Sequence, residues 1–200
     1  MPLPTIAPLT TDRLLLRTVQ AGDLADLMAV NSDAEVTRFL PYSAWQGLDD
    51  ARSWYARMAA AMAEGTAQQL VLVDRASARV LGSALLFRFD AGSQRAELGY
   101  VLGRAAWRQG LMAEALRALL DQAFSVAGLR RIEAEVDPRN DASHQLLLRL
   151  GFGHEGTARQ RWVNHGQPCD VHRYGLLRGD WRTAPRLGAA PLSAPTLPPG

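Results

Sequence analysis

Apolar positions along the chain switch between two spacings, and each switch marks an element. Leu24, Leu27 and Met28 share one face of a helix over 23–31, and the alanine-rich stretch Leu48 to Glu64 reads as a longer helix stopped by Gly65. Arg13 to Thr18 reads as a first strand. Leu70 to Asp74 and Val80 to Phe89 flank the polar turn Arg75-Ala76-Ser77-Ala78 as a hairpin. Gln94 to Leu102 alternates, with Ala96, Leu98 and Tyr100 on one face and Arg95, Glu97 and Gly99 on the other. From Leu111 to Ala127 the period returns to that of a helix. Met112, Leu116, Leu119, Ala123 and Val126 share its apolar face, Glu114, Arg117 and Asp121 face water, and Gly128 ends it. Arg131 to Val136 alternates as a strand. Asn140 then offers an N-cap to a helix running to Leu150, with Gly151 as its C-terminal stop. Strands near Glu155 to Val163 and Asp170 to Leu177 surround the turn Asn164-His165-Gly166. The order β-α-α-β-β-β-α-β-α-β-β predicts a mixed α/β (α+β) domain with a mostly antiparallel sheet, not a doubly wound one.

The ends differ from the middle. Residues 1–9 hold three prolines, and 183–200 hold five prolines and one charge, so both read as extensions around one domain over 10–182. An apolar, proline-rich tail of this kind leaves a homodimer open. Met1-Pro2-Leu3-Pro4 lacks the basic start and apolar stretch of a secretory signal, and no apolar run approaches ~18 residues. A cytoplasmic protein without a membrane span is expected.

Charge and cysteine content narrow the chemistry. The 22 basic residues are all arginine; with 20 acids the net charge is +2. No run of five or more like charges supports nucleic-acid binding. Without lysine there is neither Schiff-base chemistry nor a Walker-type phosphate lysine. The single cysteine, Cys169, has no Cys-His signature around it and reads as an ordinary strand residue. Four scattered histidines at no ligand spacing argue against a metal site.

One loop stands out. Trp107-Arg108-Gln109-Gly110-Leu111-Met112 joins a strand directly to a helix, and a helix start offers unpartnered N–H groups and the positive end of a dipole. Gly110 lets backbone approach a phosphate and Arg108 adds positive charge, which together make a diphosphate cradle. The same glycine would also serve a tight turn and nothing more. The pattern is neither GxGxxG nor a P-loop.

That loop, the run Ala96-Glu97-Leu98-Gly99-Tyr100-Val101-Leu102 before it, and the later Asn140-Asp141-Ala142-Ser143, Leu150-Gly151-Phe152 and Glu155-Gly156 together resemble the GNAT superfamily of N-acetyltransferases. The opening Thr11-Asp12-Arg13-Leu14-Leu15-Leu16-Arg17 adds a resemblance to its Rim-type branch, the RimJ/RimL-like ribosomal-protein N-terminal acetyltransferases. The likeness spans about 11–181. Two residues depart from the superfamily loop Gln/Arg-x-x-Gly-x-Gly/Ala: Trp107 at its first position and Met112 at its last.

The resemblance implies a sheet of about seven strands with helices on both faces and a splayed strand pair. It implies acetyl-CoA as co-substrate, held by Tyr100, Val101 and Leu102, by Arg108, Gln109, Gly110, Leu111, Met112 and Ala113, and by Asn140, with no metal. It further implies direct attack of an amine in a ternary complex. Ser143 would protonate the leaving thiolate, because Leu147 stands where many members carry a tyrosine; an ordinary capped helix explains Asn140 and Ser143 equally well. Glu97 would act as general base through water, or else sit as a sheet-surface carboxylate paired with Arg95 or Arg131. Glu133 and Glu135 are alternatives, and His144 and His154 read as surface residues. Phe39, Trp45, Trp54 and Tyr55 belong either to an acceptor pocket or to core. The absence of a prominent base favours an α-amine, with a pKa of about 8 against about 10.4 for lysine. The acceptor would then be a protein or peptide N-terminus or a small molecule. A detoxifying acetyltransferase and a non-catalytic acyl-CoA sensor are the rival readings.

Overall fold

The computed structural model describes residues 2–164 and 166–183, with backbone alone for Arg182 and Thr183. The predicted tail beyond that point lies outside the described residues. Eight strands form one sheet in the order β1-β2-β3-β4-β5-β6-β8-β7. They are β1 (Leu9–Thr10), β2 (Leu14–Thr18), β3 (Gln68–Asp74), β4 (Val80–Asp90), β5 (Arg95–Leu102), β6 (Arg131–Val136), β7 (Gly153–Asn164) and β8 (Gln167–Leu177). The strand beyond the expected seven is β1, two residues paired with Leu15 and Leu16. Every neighbouring pair is antiparallel except β5–β6.

Alternation along the central strands feeds two cores. Leu14 and Leu16 of β2 and Leu70 and Leu72 of β3 point to one face, Val71 and Val73 to the other. On the second face lie α1 (Leu24–Asn31), α2 (Ala34–Thr37) and α3 (Leu48–Ala63). Trp45 and Trp54 meet there with ring centroids 5.5 Å apart, and Trp45 is buried with Val71 and Val73, so this pair and Tyr55 serve the core. Met1 apart, the N-terminal extension is docked: Leu3 and Ile6 are buried in the first core, and the Leu3 amide donates to the Gly65 carbonyl at 2.8 Å.

The first face carries α4 (Leu111–Ser125) and α5 (Asp141–Arg149), followed at the chain's end by α6 (Arg178–Thr183). Met112, Leu116, Leu119 and Ala123 turn the apolar stripe of α4 into the sheet as predicted. Val126 does not follow them. It is the C-cap residue and 65% exposed, because the helix ends two residues early and the stripe with it. Glu114 also departs from expectation. It accepts from the Thr11 hydroxyl at 2.6 Å, the Arg13 amide at 2.9 Å and Arg13 Nε at 2.7 Å, tying the start of α4 to the entry of β2. Helix α5 closes on Gly151 at φ +90°, with the Phe152 and Gly151 amides donating to the Leu147 and Leu148 carbonyls. That double bond satisfies the last free carbonyls and places Phe152 against Leu147.

Leu119 lies wholly buried between α4 and the sheet. Leu119→Ala should lower stability by about 2–5 kcal/mol through lost burial and the cavity left behind. A urea midpoint unchanged from the parent would contradict this packing.

Candidate functional site

The parallel pair β5–β6 is joined over three registers only, Arg95↔Arg131, Ala96↔Ile132 and Glu97↔Glu133. Both strands run on, β5 to Leu102 and β6 to Val136, with no pairing between them. On its other side β5 stays paired with β4 through Leu98↔Leu86 to Leu102↔Gly82. Tyr100, Val101 and Leu102 therefore line a slot that widens toward the C-terminal ends of the two strands. Apart from the Leu102 carbonyl, which accepts from Trp107 Nε1, backbone groups on that edge are open to an extended partner.

The 107–113 loop lies at the wide end. The loop does not follow the strand directly as expected: a 3-10 turn over Arg104–Ala106 intervenes, after which Arg108 (φ +59°) and Gly110 (φ +76°) both take left-handed backbone and turn the chain into α4. No side chain caps the helix, and among the described residues the amides of 109–113 have no protein acceptor. A Cβ at Gly110 would meet only Arg13 Nη2, at 3.7 Å, so the space before the helix is not filled by side chains. Arg13 Nη1 donates to the Gln109 carbonyl at 2.9 Å and holds the loop. The two departures in the motif have local explanations. Met112 and Leu111 are buried and turn into the core, so bulk at 112 stays out of the cradle. Trp107 donates from Nε1 to the Leu102 carbonyl at 2.7 Å, pinning the loop to the end of β5.

Across the slot stands the first turn of α5. The Asn140 side chain accepts from the Ser143 amide at 3.1 Å, so it caps the helix. Ser143 Oγ lies 2.5 Å from the Tyr100 hydroxyl. Burial pushes Tyr100 up to about 12, against the opposing hydrogen bond from Ser143.

These features are a parted parallel pair, an unfilled helix start and a hydroxyl pair between them. Residues 13–153 match the family described as acetyltransferase (GNAT) domain. The chain belongs to the GNAT acetyltransferase family. It is an acetyl-CoA-dependent N-acetyltransferase, related to the Rim-type ribosomal-protein acetyltransferases. It is 33% identical to the uncharacterized N-acetyltransferase p20 of Bacillus licheniformis, over 86% of this chain and 97% of that one. It is 34% identical to the [ribosomal protein uS5]-alanine N-acetyltransferase of Escherichia coli (strain K12), over 86% and 92% of the two chains. A GCN5-related N-acetyltransferase from Brucella melitensis shares the fold with a TM-score of 0.81 at 24% identity, over 90% and 83%.

Within this GNAT domain, Glu97 is buried on the face opposite Tyr100. The expected partners Arg95 and Arg131 bind Glu133 instead, at 2.9 and 2.8 Å. Glu97 accepts from Arg88 Nη1 at 2.7 Å. Regular alternation would send Arg88 to the other face, since Phe87 is the residue opposite Glu97. A bulge between Phe87 and Asp90, with Arg88 at φ +51°, breaks the alternation there. Burial raises the Glu97 carboxyl above the usual range, against the pull of Arg88. Glu135 is held by Trp162 Nε1 at 3.1 Å and Arg161 Nε at 3.3 Å, which commits it to the β7 side.

Among the described residues, His144, His154 and His172 are not scattered in space. His144 Nδ1 bonds the Tyr174 hydroxyl, and the His154 and His172 rings lie within 4.7 Å of each other beside that tyrosine. Burial, followed by the two neighbouring imidazoles, lowers His172. Leu147, in the place of the family tyrosine, is fully buried. Two sheet phenols, Tyr100 and Tyr174, reach the same helix turn instead. Alternation puts Tyr100 on the face of Ala96 and Leu98, but its hydroxyl's partner depends on how α5 docks. Among the described residues no three His, Cys, Asp or Glu side chains are placed to hold a metal ion, and no helix is long and apolar enough to cross a membrane.

Gly110→Glu should weaken acetyl-CoA binding by more than about tenfold. It adds a carboxylate at the cradle and puts a side chain at a φ that disfavours one by about 1–2 kcal/mol. Isothermal calorimetry at the parent's affinity would remove this loop from the site.

Proposed function

We propose that this enzyme acetylates an α-amine, of a protein N-terminus, a peptide or a small molecule, by direct attack within a ternary complex. The parting of β5 and β6 beside an uncapped helix start carries this reading. In it, backbone groups of Tyr100, Val101 and Leu102 pair with the pantetheine arm, and one N–H on that edge polarises the thioester oxygen. The amides of 109–113, with Arg108, take the diphosphate; Asn140 borders the arm.

The attacking nitrogen forms its bond to the acetyl carbon, the carbon–sulfur bond breaks, and the proton passes to water or Glu97. Glu97 is supported as base by its burial, which raises its proton affinity while Arg88 keeps it oriented. The hydroxyl pair Ser143–Tyr100 supports stabilisation of the leaving sulfur. Burial raises Tyr100 to about 12, well above an ordinary thiol, so full proton transfer from the phenol to the thiolate is unfavourable. The pair therefore serves by hydrogen bonding to the thiolate, which is a competent leaving group at neutral pH. An α-amine needs only about 1 kcal/mol to lose its proton at neutral pH, against 4–5 for lysine, which suits a single buried carboxylate. We place the enzyme in the cytoplasm, in keeping with acetyl-CoA supply.

Incubation with acetyl-CoA and a mixed amine library, followed by mass spectrometry, should give +acetyl products on α-amines. CoA binding without any product would favour an acyl-CoA sensor. Ser143→Ala should lower kcat about tenfold or more with little change in the KM for acetyl-CoA; an unaltered kcat would exclude the hydroxyl pair. Glu97 must be ionised to accept a proton, so kcat/KM falls as pH drops through its raised pKa, above the ordinary value of ~4.3. In the parent two protonations, of Glu97 and of the amine, should suppress activity at the acid end; in Glu97→Gln only that of the amine remains. An identical acid limb in both proteins would assign the base elsewhere.

A further inference from the structure

We propose that a recess next to the slot, lined by Arg38, Arg139 and Asn164, selects acceptors whose reactive amine is joined through a peptide N–H to a carboxylate. These are N-terminal peptides with an acidic side chain within their first few residues. The proposal deepens the acetyl-transfer reading and rests on it for the identity of the amine.

The recess has a volume of about 290 Å³ and lies between the segment after α2 and the β7–β8 hairpin. Its lining is linked to the slot along the chain that leaves β6. Arg139 comes three residues after the end of this parted strand, directly before Asn140, the cap of the helix that carries Ser143. Phe39 forms one wall, with the guanidinium carbon of Arg38 at 5.1 Å and that of Arg139 at 5.9 Å from its ring centroid. Two guanidinium groups thus pack near one ring.

Neither arginine is neutralised toward the recess. Arg139 gives Nε and Nη2 to Asp137, whose side chain is completely buried beneath it, and Nη1 has no partner among the described residues. Arg38 has only the exposed Glu35, at 3.9 Å. Cys169, also in the lining, is kept a neutral thiol by burial and by the Asp137 carboxylate, so it supplies no opposing charge.

The second observation is Asn164. Its side chain is 94% buried by the 6% exposure of the residue, and its Nδ2 donates to the Arg38 carbonyl at 3.2 Å. Its Oδ1 is the buried side-chain oxygen without a hydrogen-bond partner among the described residues. A buried acceptor of this kind calls for an N–H or O–H donor. A peptide N–H and a carboxylate a few atoms away meet both demands at once, and the flat amide packs on Phe39 and Pro168. A polyamine could donate to Asn164 but brings positive charge to two arginines.

The test uses the full chain with CoA bound and matched peptides beginning Ala-Asp or Ala-Lys, the free dipeptide Ala-Asp, and spermidine. Calorimetry on this complex reads binding, and CoA release with acetyl-CoA supplied in place of CoA reads turnover. The acidic peptide should bind at least about tenfold more tightly than its lysine counterpart, the scale of one charge-assisted hydrogen bond. Arg38→Glu, a change at an exposed side chain, should invert that ratio, with acetyl-CoA affinity in the same variant reporting intact folding. Equal affinity for the two peptides, or a ratio untouched by Arg38→Glu, overturns the recess. Acidic preference in binding without any CoA release upholds the recess and overturns acetyl transfer. Preference shown by the free dipeptide as strongly as by the longer peptide assigns a small-molecule acceptor; preference confined to the longer peptide assigns a protein N-terminus.

Discussion

Beyond Glu97, strand β5 keeps β4 on one side and has no strand on the other. A strand inside a sheet with one edge unpaired leaves backbone donors and acceptors that water or a ligand has to satisfy. The chain meets this constraint by ending the β5–β6 ladder after three registers and filling the diverging space from above. The crossover helix α4 starts on one flank of the gap and α5 on the other, each presenting its N-terminal turn. Parallel strands need a long crossover, and a crossover helix must begin near the end of the strand that feeds it. The position of the α4 start beside the slot is thus a consequence of the topology, and Gly110 is the residue that makes the turn tight enough.

Electrostatics on the sheet's open half obey a related logic. Arg95 and Glu97 of β5, Arg131, Glu133 and Glu135 of β6 and Arg173 of β8 interleave, and Arg131 also holds Glu155 in a two-point contact. Planar guanidinium groups suit such shared contacts better than ammonium groups would. Each exposed pair contributes little stability by itself. Their effect is to commit Glu133 and Glu135 to arginines while Glu97, more deeply placed, has Arg88 alone among the described residues. Glu97, whose proton affinity burial raises, borders the point where the strands part.

Most of the architecture was legible in residue spacing. Leu70 to Val73 and Arg131 to Val136 alternate because each strand is covered differently on its two faces, and α4 repeats every three or four residues because one side is buried. Gly151 marked the end of α5 because a left-handed residue completes the two closing hydrogen bonds. Local rules reached less far where an element was held by distant contacts. Leu3 and Ile6 lie in a proline-containing segment with no period, yet both are buried by β3 and its neighbours. Glu114 sits on the polar side of its helix, yet it is bound by residues a hundred positions away.

The sequence by itself determined the family, the element order, the loop at 107–112 and the cap at Asn140, since each depends on a short stretch of backbone and its immediate side chains. Tertiary structure decided which charged and polar groups meet. It assigned Arg88 to Glu97 through a bulge that alternation does not reveal, brought Tyr100 to Ser143, gathered three histidines at Tyr174, and set Arg38 and Arg139 near one phenylalanine ring. Long polar side chains choose partners by proximity in three dimensions. Periodicity states only which face of an element they leave from.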